Sequence, residues 1–118
     1  RKQFGQPIGS FQLMQGKIAD MYTAMNTARA YVYEVAKACD RGDVTRQDAA
    51  ACCLYASEVA MTQAHQAVQA MGGMGFMNET LITRFYRDLR LHSIGGGADE
   101  VMMQIISKHL GILPGKKK

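Results

Sequence analysis

Residues 11–39 read FQLMQGKIADMYTAMNTARAYVYEVAKAC, and small or apolar side chains recur along this stretch at alternating steps of three and four. The positions that share this pattern are Phe11, Met14, Ile18, Met21, Met25, Ala28, Val32, Val35 and Cys39. Nine consecutive matches to the helical period predict one long amphipathic helix. Ser10 is suited to its N-cap, and Gly42 is suited to a left-handed residue after its last turn. This helix favours an all-α fold.

A second long helix follows directly. Thr45 and Asp48 have the spacing of a weak capping box at its start. Its predicted face is formed by small side chains, namely Ala49, Cys53, Ala56, Ala60, Ala64 and Ala67. Small side chains let two helix backbones approach closely, so the first two helices are expected to form a tight antiparallel hairpin. The second helix is predicted to end at the glycine cluster of residues 72–75.

Two shorter helices complete the predicted chain. One covers residues 80–93, with Leu81, Phe85, Leu89 and His92 on one side, and the other begins near Ala98 and ends at Gly111, before Pro114. The stretch IGGGAD at residues 94–99 interrupts them, and no segment has a convincing strand pattern. We therefore predict a single domain over residues 1–118, an up-and-down helical bundle that lacks its first helix. Because bundles usually have four long helices, we expect an exposed apolar flank that an upstream helix or another subunit covers.

Composition argues against several classes of function. The net charge is +4, and without the three lysines Lys116, Lys117 and Lys118 the chain has eleven basic against ten acidic side chains. The remaining basic residues are scattered among acids, so nucleic-acid binding is not expected. A small DNA or membrane binder that depends on the lysine tail is a weak alternative. No apolar run approaches the roughly 20 residues that span a bilayer, so membrane insertion is not expected.

The cysteines and histidines do not predict a metal or disulfide site. Three cysteines, two of them adjacent, are not a disulfide framework and indicate a reducing compartment. His65, His92 and His109 show no metal-ligand spacing with them. The thiols are expected to be small buried side chains.

Four motifs follow one another along the chain. They are RKQFGQPI at residues 1–8, the segment 11–21 that begins with FQ and ends with IADM, VQAMGGMGF at residues 68–76, and RDLRL at residues 87–91 before the glycine-rich link. Alone, the glycine cluster at 72–75 follows a helix rather than a strand and indicates only a cap and turn. Together, the motifs resemble the C-terminal helical domain of the flavin-dependent acyl-CoA dehydrogenases, above all the isovaleryl-CoA and citronellyl-CoA types. The resemblance implies a chain about three times as long, with two further domains, assembled as a homotetramer, a dimer of dimers.

The resemblance also implies which residues contact FAD. Arg1 matches an arginine that reaches the FAD diphosphate of a neighbouring subunit, where a guanidinium suits phosphate oxygens. Gln3 and Phe4 belong to the same segment, and Gln12 matches a glutamine that hydrogen-bonds FAD. The other implied contacts are Gln69, Ala70, Met71, Gly72, Gly73, Ala98, Asp99 and Glu100. Ala98 departs from the threonine that is usual in the family and lacks the contact that the threonine hydroxyl would make.

The family reaction is α,β-dehydrogenation of an acyl-CoA thioester, in which a carboxylate removes the α-proton while hydride passes to the flavin. Gly96 stands where the short- and medium-chain members carry that glutamate. The isovaleryl-CoA branch takes its base from a helix upstream of the segment that begins at Arg1, so the resemblance implies no catalytic base in these 118 residues. Gly96 and Gly97 are expected to line the substrate channel. Asp99 and Glu100 lie where acids favour a helix dipole.

Further expectations rest on the same resemblance. The chain alone should be inactive, the electron acceptor should be electron-transfer flavoprotein, and the acyl chain stays open among branched, medium and terpenoid types. Fatty acid or branched-chain amino acid catabolism is implied, in bacterial cytoplasm or, in a eukaryote, the mitochondrial matrix. The alternative function is a non-catalytic helical interaction or oligomerisation module that retains the fold. Arg87 and Asp88 are expected to form a structural ion pair or cap.

Overall fold

The computed structural model describes residues 1–112 and confirms a helical fold. A small hairpin of β1 (Lys2–Gln3) and β2 (Gln6–Pro7) leads through a 3-10 turn (Ile8–Ser10) into the helices. These are α1 (Gln12–Asp40), α2 (Arg46–Met71), the single turn α3 (Gly73–Phe76), α4 (Leu81–Leu89) and α5 (Asp99–His109). A second 3-10 turn (Arg90–Ser93) follows α4. Pro114 and the three tail lysines lie outside the described residues.

The hairpin corrects the prediction that the chain has no strand. Lys2 pairs with Pro7 and Gln3 with Gln6 in an antiparallel register. The two turn residues, Phe4 and Gly5, have φ values of 52° and 77°. Positive φ at both central positions is the geometry of a type I′ turn. Asn-Gly is the usual signal for that turn, and its absence explains why no hairpin is predicted from the sequence.

The two ends of α1 differ in how well they were predicted. Ser10 was predicted as the N-cap but lies in the 3-10 turn, and Phe11 is the N-cap, without a side-chain cap. The turn extends the hairpin to Ser10, which delays the helix by one residue. The C-terminal end is confirmed, because Gly42 has a φ of 76° directly after the cap.

The start of α2 is confirmed, whereas its predicted buried face is partly wrong. The Thr45 side chain accepts a hydrogen bond from the Asp48 N–H. The buried residues of α2 are Ala50, Cys52, Ser57 and Ala64, while the predicted Ala49 and Cys53 are exposed. The reason is that α2 is central and packs against α1, α4 and α5. Contacts on several sides shift burial away from a single stripe.

The helix predicted over residues 80–93 is shorter and less buried than expected. It ends at Leu89, and the chain then tightens into the 3-10 turn. On its predicted side, Leu81, Phe85 and His92 are exposed, and Leu89 is half-buried. The predicted start of α5 near Ala98 is confirmed, and the helix ends at His109, two residues before the predicted Gly111, which has a φ of 72°.

An exposed apolar flank is confirmed. The helices α1 and α4 both pack on α2 but make little contact with each other, which leaves an apolar groove of about 540 Å³ between the three helices. We call it the bundle groove. Its exposed side chains include Ile18, Tyr22, Met25 and Phe85, and in the described part of the chain only Ala50, Cys52 and Ala64 are buried apolar residues. None of the described helices combines the length and hydropathy that a membrane span requires.

Candidate functional site

The first candidate site lies where the hairpin, the start of α1 and the end of α2 meet. It is a groove of about 690 Å³, which we call the Arg1 groove. Seven of the twelve predicted cofactor residues, from the start of the chain and from the end of α2, line it: Arg1, Gln3, Phe4, Gln12, Gln69, Ala70 and Gly72. Residues almost 70 positions apart in sequence therefore share one surface.

Arg1 joins the two halves of this groove. Its Nη1 donates a hydrogen bond of 3.0 Å to the carbonyl oxygen of Met71, the last residue of α2. Gly72 makes this approach possible, because a Cβ on Gly72 would lie 2.4 Å from Arg1 Nη1. A guanidinium carries five N–H donors, so most of them stay available to a ligand. The groove thus holds a fixed cation at the carbonyl end of a helix.

Phe4 is placed in a conformation that folding alone does not favour. It has a φ of 52° and is 86% exposed, and its ring packs edge-to-face on Phe11 with the centroids 6.3 Å apart. A bulky residue in the left-handed region is rare; here the tight turn of the hairpin requires it, and such outliers cluster at active sites and ligand clamps. An exposed aromatic ring at the rim of a cationic groove suits contact with a planar ligand.

The remaining polar groups of the Arg1 groove are amides. Gln3, Gln12 and Gln69 are all exposed, and each can donate and accept hydrogen bonds. α1 begins at Gln12 without a side-chain cap, so the positive end of its dipole also faces this region. A guanidinium, a helix N-terminus, three amides and an aromatic ring fit the diphosphate and ring systems of a dinucleotide such as FAD.

The glycines beyond Gly72 differ in what they do. A Cβ on Gly75 would lie 2.3 Å from the backbone oxygen of Val68, and Gly75 is buried. Its role is therefore close packing of α3 against α2. A Cβ on Gly73 would meet no atom within 4 Å.

The second candidate site surrounds the triple-glycine link, and we call it the glycine cavity. It has a volume of about 530 Å³, and α1, α2 and α5 contribute Val32, Ala56 and Met102 to its wall. The missing side chains of Gly95 and Gly97 face Leu91 and Met102, with a Cβ on Gly97 only 2.5 Å from Met102 Cε. A Cβ on Gly96 would meet nothing within 4 Å. Of the three glycines, only Gly96 therefore leaves open space.

The first turn of α5 lies beside this cavity. Asp99 and Glu100 are in that turn, as predicted, and Ala98 is the N-cap without a side-chain hydrogen bond. Sequence reasoning missed Ser57, whose hydroxyl Oγ lies 3.2 Å from Asp99 Oδ1. Ser57 is 4% exposed. The spacing in the sequence could have identified Ser57. Ala50, Ser57 and Ala64 follow one another at intervals of seven residues, so they lie on the same side of α2, and Ser57 is the polar residue among these three buried positions.

The predicted cofactor residues do not converge on one place. Gln12 lines the Arg1 groove and Val32 lines the glycine cavity, and twenty residues of helix separate them by roughly 30 Å. Ala98, Asp99 and Glu100 therefore form a second cluster at the other end of the bundle.

Comparison with known proteins identifies the family. Residues 1–111 match the model of the acyl-CoA dehydrogenase C-terminal domain. The chain belongs to the acyl-CoA dehydrogenase family.

Curated relatives of this acyl-CoA dehydrogenase domain agree. It is 48% identical over 93% of its length to the mitochondrial isovaleryl-CoA dehydrogenase of Solanum tuberosum. It is 46% identical over 93% of its length to the mitochondrial 2-methylacyl-CoA dehydrogenase of the same plant. In both comparisons it covers 27% of the relative, so the chain spans about a quarter of the length of these proteins.

Solved structures show the same fold. The butyryl-CoA dehydrogenase of Megasphaera elsdenii is 36% identical, with a TM-score of 0.89 over 93% of this chain and 29% of that one. The FAD complex of PigA is 29% identical, with a TM-score of 0.85 over 95% of this chain and 29% of that one.

The other candidate residues of this acyl-CoA dehydrogenase domain form no further site. Cys52 is buried, and burial, together with the neighbouring Cys53, raises the pKa of its thiol. Cys39 and Cys53 are exposed, so the expectation of buried thiols is wrong for both. No group of metal-ligating side chains is found among residues 1–112.

The expected ion pair of Arg87 and Asp88 is absent from the described residues. Both side chains are exposed, and neither makes a salt bridge within residues 1–112. The salt bridges in that range join Lys37 to Glu34 and Arg41 to Asp43, at 2.6 and 3.0 Å. The short α4 ends directly after this pair, which leaves it on the solvent side.

Proposed function

We infer that the full-length protein is an FAD-dependent acyl-CoA dehydrogenase that acts on a branched-chain acyl-CoA. In this proposal, the present chain supplies cofactor contacts, part of the substrate channel and an oligomer interface. The single observation that carries this proposal is the Arg1 groove. There a guanidinium, an exposed aromatic ring and three amides, from the start of the chain and the end of α2, meet near Gly72. Family membership supports the reaction class.

The cofactor that fits the Arg1 groove is FAD, which when bound supplies the hydride acceptor. Arg1 would hold the diphosphate by charge-assisted hydrogen bonds, and Phe4 would pack on a ring. Ala98, Asp99 and Glu100 lie roughly 30 Å from this groove by the length of α1. This separation supports an oligomer in which each chain contacts two FAD molecules, one through each cluster, and the homotetramer that we propose rests on the resemblance to the family.

The substrate channel that we propose passes the glycine cavity. The open space at Gly96 leaves room for an acyl chain and for a base that arrives from elsewhere. Asp99 points instead to Ser57. The catalytic glutamate would lie upstream of Arg1. The names of the two plant relatives, isovaleryl- and 2-methylacyl-CoA dehydrogenase, support a branched substrate.

The remaining parts of the proposal concern the surroundings of this domain. A helix from the upstream part of the protein would cover the bundle groove, where Ile18, Tyr22 and Phe85 are exposed. Electron-transfer flavoprotein would accept the electrons. The plant relatives carry mitochondrial names, which supports the mitochondrial matrix for a eukaryotic source, and in a bacterium the site would be the cytoplasm.

One experiment tests the proposal. The full-length protein is purified, its flavin absorbance and oligomer mass are measured, and isovaleryl-CoA is added without oxygen. We expect a yellow tetramer whose flavin absorbance bleaches on addition of substrate. The 118-residue chain alone, as the matched control, should neither hold FAD nor turn over isovaleryl-CoA. A colourless full-length protein, or flavin that no acyl-CoA bleaches, would instead favour an interaction module that retains the fold.

A further inference from the structure

The hydrogen bond between Ser57 and Asp99 ties one residue of the second proposed cofactor cluster to the middle of α2. Ser57 lies in the middle of α2 and is 4% exposed, and its Oγ is 3.2 Å from Asp99 Oδ1. Asp99 is the first residue of α5 and directly follows the link of residues 94–98. Within residues 1–112, this is the side-chain hydrogen bond that joins α2 to α5.

The link cannot fix its own position. Gly96 and Gly97 have φ values of 75° and 131° and offer no side chain that could anchor them. At the first end, the Gly95 N–H donates a hydrogen bond of 2.7 Å to the Leu91 carbonyl. At the second end, Ala98 caps α5 without a side-chain bond. Asp99 is therefore the first residue after the glycines whose side chain bonds to another helix.

The Ser57 hydroxyl has two acceptors within reach. The Leu54 carbonyl, one turn earlier on α2, lies at 2.9 Å, and the Asp99 carboxylate at 3.2 Å. A hydrogen bond to an ionised acceptor is roughly twice as strong as one between neutral groups. Because Ser57 is buried, water competes little for its proton. We assign that proton to Asp99.

We propose that Ser57 is a positioning residue: by holding Asp99, it fixes the Gly96 opening of the glycine cavity and thereby sets which acyl-CoA substrates fit. This inference rests on the proposed function, in which Gly96 and Gly97 line the substrate channel. Ser57 acts through Asp99 and the link. Its loss should therefore change substrate binding and selectivity more than the rate of the chemical step.

The test uses the full-length holoenzyme. Ser57→Ala removes the hydrogen bond to Asp99, and Ser57→Thr keeps the hydroxyl. The control is Ser107→Ala, which makes the same chemical change at a half-buried serine of α5. The Ser107 side chain makes no hydrogen bond within residues 1–112. For Ser57→Ala we expect the KM for isovaleryl-CoA to rise about fivefold to tenfold, kcat to change less than twofold, and the preference over butyryl-CoA to shift. Ser57→Thr should restore both values, and Ser107→Ala should leave them unchanged.

Hydrogen exchange of residues 95–100, measured without substrate, gives a second readout. We expect it to be about tenfold faster in Ser57→Ala than in the unmodified protein. If hydrogen exchange of residues 95–100 is the same in Ser57→Ala and the unmodified protein, the inference is wrong. This readout does not depend on activity, so it remains valid if the unmodified enzyme does not act on acyl-CoA, a result that would separately refute the proposed function. An unchanged KM and substrate preference in Ser57→Ala also overturns the inference, as does failure of Ser57→Thr to restore them. If Ser57→Ala does not fold, Asp99→Asn is measured with FAD saturating, because Asp99 is also a proposed FAD contact. Its KM should rise about half as much on a logarithmic scale, and no rise overturns the inference.

Discussion

The Arg1 groove and the glycine cavity both depend on glycines, but in opposite ways. At Gly72 the absent side chain admits a side chain of the protein itself, because Arg1 Nη1 occupies the place where a Cβ would lie. At Gly96 the absent side chain leaves open space that no described atom fills. The first glycine therefore allows a contact within the chain, and the second leaves a space that, in our proposal, groups from outside the chain enter.

The largest expected effect is loss of the cation from the Arg1 groove. In the full-length protein, Arg1→Ala should weaken FAD binding by about a hundredfold, since a hydrogen-bonded charge contributes roughly 1.5 to 3 kcal/mol. Arg1→Lys should be intermediate, because an ammonium cannot form the planar fork. Arg29→Ala, at an exposed arginine of α1 outside the groove, is the matched control. Titration of the apoprotein with FAD measures the effect, and equal affinities for Arg1→Ala and Arg29→Ala would refute the assignment.

The next effect distinguishes packing from binding at the glycine cluster. Gly75→Ala should lower the free energy of unfolding by about 2 kcal/mol, because its Cβ would press on the backbone oxygen of Val68. Gly73→Ala has open space and should change the stability by less than about 0.5 kcal/mol. Urea unfolding of both variants measures the difference. Similar values for the two would show that α3 moves to admit a side chain.

A smaller effect is expected at the glycine cavity. Gly96→Ala has room for its methyl group but adopts a φ of 75°, so it should lose about 1 kcal/mol of stability. FAD affinity should fall much less than in Arg1→Ala, because Gly96 is far from Arg1 and is not itself among the proposed FAD contacts. The KM for isovaleryl-CoA should rise. Calorimetric unfolding measures the stability, FAD titration the affinity, and steady-state kinetics the KM. A large loss of FAD affinity without a change in KM would show that the glycine cavity binds the cofactor and not the substrate.

The smallest effect concerns the two adjacent thiols beside the glycine cavity. Burial raises the pKa of Cys52, which leaves less of the reactive thiolate at any given pH, whereas Cys53 is exposed. In the 118-residue chain, iodoacetamide at pH 8 should therefore label Cys39 and Cys53 before Cys52. Peptide mass spectrometry gives the order. Early labelling of Cys52 would show that α2 is not packed as described.

The sequence allowed correct prediction of the features that depend on neighbouring residues. The long helices, the left-handed Gly42, the Thr45 cap and the acidic first turn of α5 all follow from local spacing and side-chain chemistry. The resemblance to the family implied twelve FAD contacts, of which seven line the Arg1 groove, and their contact with FAD stays a proposal.

The features that were missed depend on tertiary structure. The buried side of α2 was misplaced because three helices pack around it. The hairpin was missed because Phe4 takes a backbone conformation that its residue type rarely adopts. The Ser57 to Asp99 bond joins residues 42 positions apart, and no local pattern links them.

The central claim is that this domain contains no catalytic base and that an upstream segment supplies it. The most direct test measures the rate of flavin reduction by isovaleryl-CoA in a full-length variant that carries both Asp99→Asn and Glu100→Gln. These are the two carboxylates nearest to the Gly96 opening in sequence. A general base typically contributes a factor of about 10² to 10⁴ to the rate. At saturating substrate and with FAD bound, we expect the rate constant to fall less than about tenfold. A fall of about a thousandfold would show that the base lies in this chain.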